Sequence, residues 1–166
     1  MGTDCTIRIK DQKGKVLCRL WRLYDGYPLH IGKIIAEYLK DSELVEGFDN
    51  KMDNPRYFHG MGDLAASLIS HLKNWKDPRY EIKHDEDEYI KTFYAAMNRT
   101  ISKIQVDLPI DKGGACWDYT IYVGDKGQIC LLVEGGEVDF NDDISKFNAD
   151  EFDKANSYDE DDEDDE

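Results

Sequence analysis

Trp117, Tyr119, Ile121 and Val123 alternate with Asp118, Thr120 and Tyr122; "GDKG" follows, and Ile129, Leu131 and Val133 take up the alternation again. Period-two apolarity on both sides of a glycine turn predicts a β-hairpin with one buried face. A helix cannot use this pattern, because a 3.6-residue period would scatter the same side chains around its axis. A second hairpin is predicted near the start, where Cys5, Ile7 and Ile9 alternate with Thr6, Arg8 and Lys10 and Gly14 supplies the turn. If Gln12 pairs with Lys15, Cys5 falls opposite Arg22 and Cys18 opposite Ile9, so the two cysteines do not face each other.

Helical periodicity fills the space between the hairpins. Ile31, Ile34, Ile35, Tyr38 and Leu39 follow the i, i+3, i+4, i+7, i+8 spacing of a buried face. Leu64, Leu68 and Leu72 line a second helix over residues 63–74, with Asp63 as its N-cap. Ile90, Phe93, Tyr94 and Met97 fit a third, with Asp85 as N-cap and Glu88 three residues on. Residues 80–83 read as a short strand, and residues 100–107 fit either a continued helix or a strand. Two hairpins flanking helices specify an α+β domain with a mainly antiparallel sheet. The expected boundaries are a globular domain over residues 1–136 and an acidic segment and tail over residues 137–166.

Charge sets that boundary. The chain carries a net −15 over 166 residues. Residues 1–134 hold 19 Lys+Arg against 21 Asp+Glu, a net of −2, and residues 135–166 hold 2 against 15, a net of −13. Such segregation marks an interaction tail or a solubilising one, and it excludes direct binding of nucleic acid by the acidic segment. Hydrophobic residues make up 40% of the chain, enough for a core, but no apolar run approaches the roughly 20 residues of a membrane helix. With no charged-then-apolar leader pattern, a cytoplasmic location and no membrane contact are expected. Cys5, Cys18, Cys116 and Cys130 are widely spaced and read as reduced, small hydrophobes.

Two loops hold the residues with chemical potential. In "YDGYPLHIGK", Asp25 could orient the His30 imidazole as an acid–base pair beside Tyr27, although Asp25–Gly26 and Pro28 are equally accounted for by a tight turn and a helix start. In "FHGMGDLAASLI", Gly60 and Gly62 could admit an anion at a helix N-terminus. Asp63 occupies the place that anion would take, and the Lys and Ser/Thr of a P-loop are missing. If the two loops share one end of the sheet, His59, Gly60 and Gly62 join Asp25, Tyr27 and His30 in a possible ligand site. No G-x-S-x-G, catalytic-cysteine signature or zinc-ligand spacing is present, so no catalytic residue, metal or cofactor is expected. "DFNDDISKFNAD" falls short of a calcium loop, with Ile144 where the sharp turn needs Gly and Asp150 where a bidentate Glu is usual.

The D-G-Y-P turn and its helix, followed by "GMGDLAASLISHLK", resemble a family of small proteins from phages and bacterial genomes. Asp25, Gly26, Tyr27, Pro28, Gly60, Gly62, Leu64, Ala65 and Ala66 carry the resemblance, which covers residues 23–73. It implies a strand ending in the turn, a helix, a G-x-G-x-L-A-A helix, a closing hairpin, and a phage or mobile-element context. It implies no particular activity, and residues 86–111 and the acidic tail lie outside it.

The acidic segment supplies the functional expectation. Asp159, Glu160, Asp161, Asp162, Glu163, Asp164, Asp165 and Glu166 are consecutive carboxylates. Extended, they repeat about every 3.3 Å, close to the roughly 3.4 Å phosphate spacing of a nucleic-acid strand. Phe140, Ile144, Phe147 and Phe152 punctuate the carboxylates before them, which fits an acidic–hydrophobic docking segment and a short helix packed on the body equally well. The leading expectation is a non-enzymatic protein whose tail, Phe147 and Phe152 meet a basic partner. A nucleic-acid-binding host protein, inhibited by a phosphate-backbone mimic, fits that description. A small enzyme or ligand-binding protein with its site between the two loops is the alternative.

Overall fold

The structure, a computed structural model, describes residues 3–45, 56–83, 85–101, 104–106 and 115–157. The first hairpin comprises β1 (Cys5–Lys10) and β2 (Val16–Arg22), with Cys5 opposite Arg22 and Ile9 opposite Cys18, the register expected from its turn. After the D-G-Y-P turn, a wide π-helical turn (Pro28–Gly32) runs into α1 (Lys33–Leu39). The two-residue strands β3 (Glu43–Leu44) and β4 (Tyr57–Phe58) pair in parallel, and α2 (Gly60–Asn74) follows. A 3₁₀ turn (Pro78–Tyr80) leads to α3 (Glu88–Ile101) and β5 (Ile104–Val106). The second hairpin, β6 (Trp117–Val123) and β7 (Ile129–Glu134), continues into β8 (Phe140–Asp143), a 3₁₀ turn (Ile144–Lys146) and α4 (Ala149–Ala155).

The six-stranded sheet has the order β5-β2-β1-β6-β7-β8. It is antiparallel throughout except at its centre, where β1 and β6 run parallel and join the two hairpins edge to edge. One sheet face carries Cys5, Ile7, Ile9, Leu20, Tyr119, Ile121, Leu131 and Val133, all fully shielded from solvent. Onto it pack Ile31, Ile35 and Leu39 from the first helical segment, and Leu64, Leu68 and Leu72 from α2, in one continuous core. The fold is a two-layer α+β domain. No described helix is long and apolar enough to cross a membrane.

Several local expectations change. Asp63 does not cap α2 from outside: it lies in the first turn, and its Oδ2 accepts a hydrogen bond from the His59 amide at 2.9 Å. Asp87, not Asp85, serves the start of α3, accepting from the Tyr89 amide at 2.7 Å. Residues 80–83 form no strand, because Asp77 and Pro78 start a 3₁₀ turn whose first amide, that of Arg79, is held by the Asp77 carboxylate. The tract left open at residues 100–107 is divided: α3 runs to Ile101 and β5 begins at Ile104. Of the cysteines, Cys5 and Cys130 are buried, Cys18 is half-buried and Cys116 is exposed.

The domain boundary moves as well. Beyond residue 136, β8 adds a sixth strand to the sheet, Ile144 and Phe152 enter the core, and α4 packs against the Pro28–Gly32 turn. Residues 138–157 are part of the folded body.

Candidate functional site

Arg22 ends β2 on the core-facing side of the sheet, where alternation would place an apolar residue. It is 1% exposed. Its Nε donates to the Tyr24 carbonyl at 2.7 Å, while Nη2 has no hydrogen-bond partner among the described residues. Burial pulls its pKa down, and the nearby charges of Asp25 and Asp77 pull the other way.

The chain turns sharply after Arg22. Asp25 takes φ 52°, and a Cβ on Gly26 would come within 2.8 Å of the Asp4 and Cys5 backbone, so only glycine fits there. The buried Tyr119 hydroxyl donates to the Gly26 carbonyl at 2.9 Å, tying the turn to the middle of the sheet. His30 follows within the π-helical turn. Its Nδ1 lies 3.2 Å from the Asp25 carbonyl oxygen and its Nε2 3.5 Å from Asp77 Oδ2, with Trp75 set edge-on to the ring at 5.0 Å. Burial, and then the positive charge of Arg22, lower its pKa. A carbonyl oxygen can only accept, so Nδ1 carries the hydrogen directed at Asp25.

Asp77 completes the cluster from the connection between α2 and α3. It is 2% exposed, yet its carboxylate accepts from the Arg79 amide at 2.9 Å, from Arg79 Nε at 2.8 Å, and from Arg79 Nη2. Burial alone would raise its pKa; the hydrogen bonds and charge of Arg79 outweigh this and hold it below the usual carboxylate value. Arg79 also lies 3.5 Å from Asp25 Oδ2, and the paired carboxylates raise its own pKa.

Donor atoms of Asp25, His30 and Asp77 lie within 4.8 Å of one another, close enough to share a cation. The two carboxylates are already balanced by Arg22 and Arg79, and a divalent ion would have to displace Arg79 and sit beside a buried guanidinium. The arrangement acts first as a neutral polar lock between the turn, the sheet and the α2–α3 connection.

Asp25 and His30 are neighbours, but His30 meets the Asp25 backbone carbonyl while the Asp25 carboxylate faces Arg79, so the expected carboxylate–imidazole pair is not the contact formed. The Tyr27 ring lies 5.9 Å from that of His30. His59, Gly60 and Gly62 do not join them. His30 touches Trp75 and Asp77, just beyond the C-terminal end of α2, whereas His59 precedes its N-terminus. Fifteen helical residues, about 22 Å at 1.5 Å per residue, separate the two ends. The ligand site expected between the two loops is not formed. Arg22, Asp77 and Arg79 were missed, although a charged residue in phase with Cys18 and Leu20 was a visible signal.

No match was found among protein families, curated proteins or solved structures. Geometry and charge therefore carry the functional argument.

The acidic segment forms the second candidate surface. Phe147 and Phe152, expected at a partner, pack inward: Phe152 is 8% exposed, and its ring lies 5.9 Å from Trp117 and 5.6 Å from Phe147, itself 5.0 Å from Phe140. The stretch packs on the body, but as a strand (Phe140–Asp143) and a 3₁₀ turn (Ile144–Lys146) rather than the expected short helix, with α4 following at Ala149–Ala155. Turning the rings inward leaves Asp142 on β8, Asp150 and Glu151 on α4, and Glu137 and Asp139 just before β8 exposed. Lys146 pairs with Asp142 at 2.9 Å, and Asn148 caps α4 through the amides of Asp150 and Glu151. Residues 159–166, the other expected partner contacts, lie outside the described residues.

Proposed function

We propose that this protein is a non-enzymatic, acidic interaction module that binds a basic partner. In the phage or mobile-element setting suggested by the D-G-Y-P resemblance, the partner is a host protein acting on nucleic acid. The module inhibits it by offering carboxylates where a phosphate backbone would lie. The observation that carries this reading is the folded acidic edge. Between residues 137 and 157, seven carboxylates stand against two lysines, on β8, the connection leading into it, and a helix whose Phe152 is buried in the domain. Carboxylates held on a rigid frame lose less entropy on binding than those of a free tail, and their field steers a cationic partner from a distance.

The test is affinity purification on the immobilised full chain from cells that harbour it, at low and at high salt. Capture of basic nucleic-acid-binding proteins, weakened by salt and reversed by added nucleic acid, is the expected result. A captured set with no basic bias, indifferent to salt and nucleic acid, would overturn the reading. The alternative, a ligand site at the D-G-Y-P turn, draws on one observation: Arg22 Nη2 is buried with no hydrogen-bond partner among the described residues.

A further inference from the structure

We propose that the open edge of β8 takes up an extended, lysine- or arginine-rich segment of the partner as a seventh strand. The inference rests on the acidic-module reading and names the form its partner takes. Among the described residues β8 ends the sheet and pairs only with β7. The Asp143 amide donates to Asp142 Oδ1 at 2.7 Å, so it points away from β7. In an antiparallel ladder, residues two apart turn their backbone groups to the same side. Asn141 therefore presents its N–H and C=O to the open edge, whereas the Asp143 amide on the same side is already held by Asp142. An incoming strand finds main-chain partners there, which is how strand addition gains affinity.

The side chains select what can approach. Asp142 and Asp143 on β8, with Glu137 and Asp139 in the connection just before it, place four carboxylates within seven residues at this edge. Charges on an edge strand ordinarily keep copies of one protein from pairing with each other. Here that repulsion acts against a second acidic edge, and the same field attracts a basic strand. The opposite sheet edge does not compete: β5 spans three residues, and its sequence flank carries Arg99 and Lys103. In a seventh strand, alternate residues would lie beside Asn141 and Asp143 on one sheet face and beside Phe140 and Asp142 on the other. A basic–apolar alternation suits these two rows.

The experiment measures binding of a labelled eight-residue peptide alternating Lys and Val to the full chain, by fluorescence anisotropy at low ionic strength. Two further peptides of the same sequence carry N-methyl groups, one on each alternate set of amides. N-methylation keeps the charge but removes the donors, so methylating the edge-facing set is expected to weaken binding about tenfold. Methylating the other set should leave binding unchanged. Asn141→Pro, which removes the outward N–H, should weaken the unmethylated peptide to a similar degree, with folding checked by thermal melting. Equal, salt-sensitive binding of all three peptides would overturn strand addition and leave the acidic-module reading standing. No binding of any peptide at low salt would overturn both.

Discussion

Arg22 gives the residue scale its clearest case, because a buried guanidinium constrains everything around it. Two carboxylates answer it, one from each side of the π-helical turn and its helices, with His30 between them. Burial holds the folded-state pKa of His30 below its ordinary 6.5. The unfolded chain therefore binds more protons as the pH falls through that value, and stability is lost from about pH 6.5 down to the folded pKa. Asp77 acts in the same sense further down: its folded pKa lies below 3.8, so its contribution disappears as the pH falls from about that value. Thermal melting from pH 8 to 5 should show a declining Tm, and His30→Gln should flatten part of that decline. A remainder is expected from His71, whose pKa burial also lowers. Asp77→Asn should destabilise the fold by about 2–3 kcal/mol, since it removes the charged acceptor of Arg79 and leaves buried Arg22 with Asp25 alone. Urea unfolding of the variant measures this directly, and a loss within 0.5 kcal/mol, typical of an ordinary surface substitution, would contradict the lock.

At the scale of elements, what was legible in the sequence depended on how local its cause was. Both hairpins and the Cys5–Arg22 register follow from period-two apolarity and one turn each, information contained in about twenty adjacent residues. The parallel contact of β1 with β6 has no such signal, since it joins residues more than a hundred apart. Asp77 reaches His30 only because α2 has the length it has, and His59 misses them for the same reason. Phe147 and Phe152 were ambiguous because aromatic residues among carboxylates suit a docking segment and an amphipathic edge alike; only the position of the sheet decides between them. A chain ending at Ser157 should melt within a few degrees of the full chain. One ending at residue 136 should lose cooperative unfolding, because it uncovers the core around Ile144 and Phe152, each worth about 1.5–3 kcal/mol when buried. α3 is held differently. Its Ile90 and Phe93 remain 39% and 47% exposed, and its rings meet Tyr80 at 6.4 Å and 5.7 Å. Tyr80→Ala should therefore speed amide exchange across α3 while leaving β1, β6 and β7 protected.

The whole molecule is electrically lopsided, with the hairpin of β1 and β2 on one side of the sheet's centre and the acidic edge on the other. Residues 1–24 carry six Lys+Arg against two Asp+Glu, whereas residues 135–166 carry 2 against 15. Two kinds of acidity follow, and they should leave different kinetic marks. Asp150 and Glu151 stand on α4, and Glu137 and Asp139 on the described connection into β8, so under the proposed reading their contacts with a partner would form at fixed positions and act mainly on dissociation. Residues 159–166 add eight further negative charges, which would act mainly through the long-range field that brings a cation in. Neutralising those eight to Asn and Gln should slow association with a basic partner and flatten its salt dependence, because screening at physiological ionic strength has a range of only about 8 Å. Neutralising the four folded carboxylates instead should speed dissociation several-fold with a smaller effect on the association rate. Stopped-flow measurements over a range of salt, on the captured basic partner, separate the two sets. Association rates that ignore the loss of eight charges at every salt concentration would leave the final stretch a solubiliser, and the function would then reside in the acidic edge of the fold.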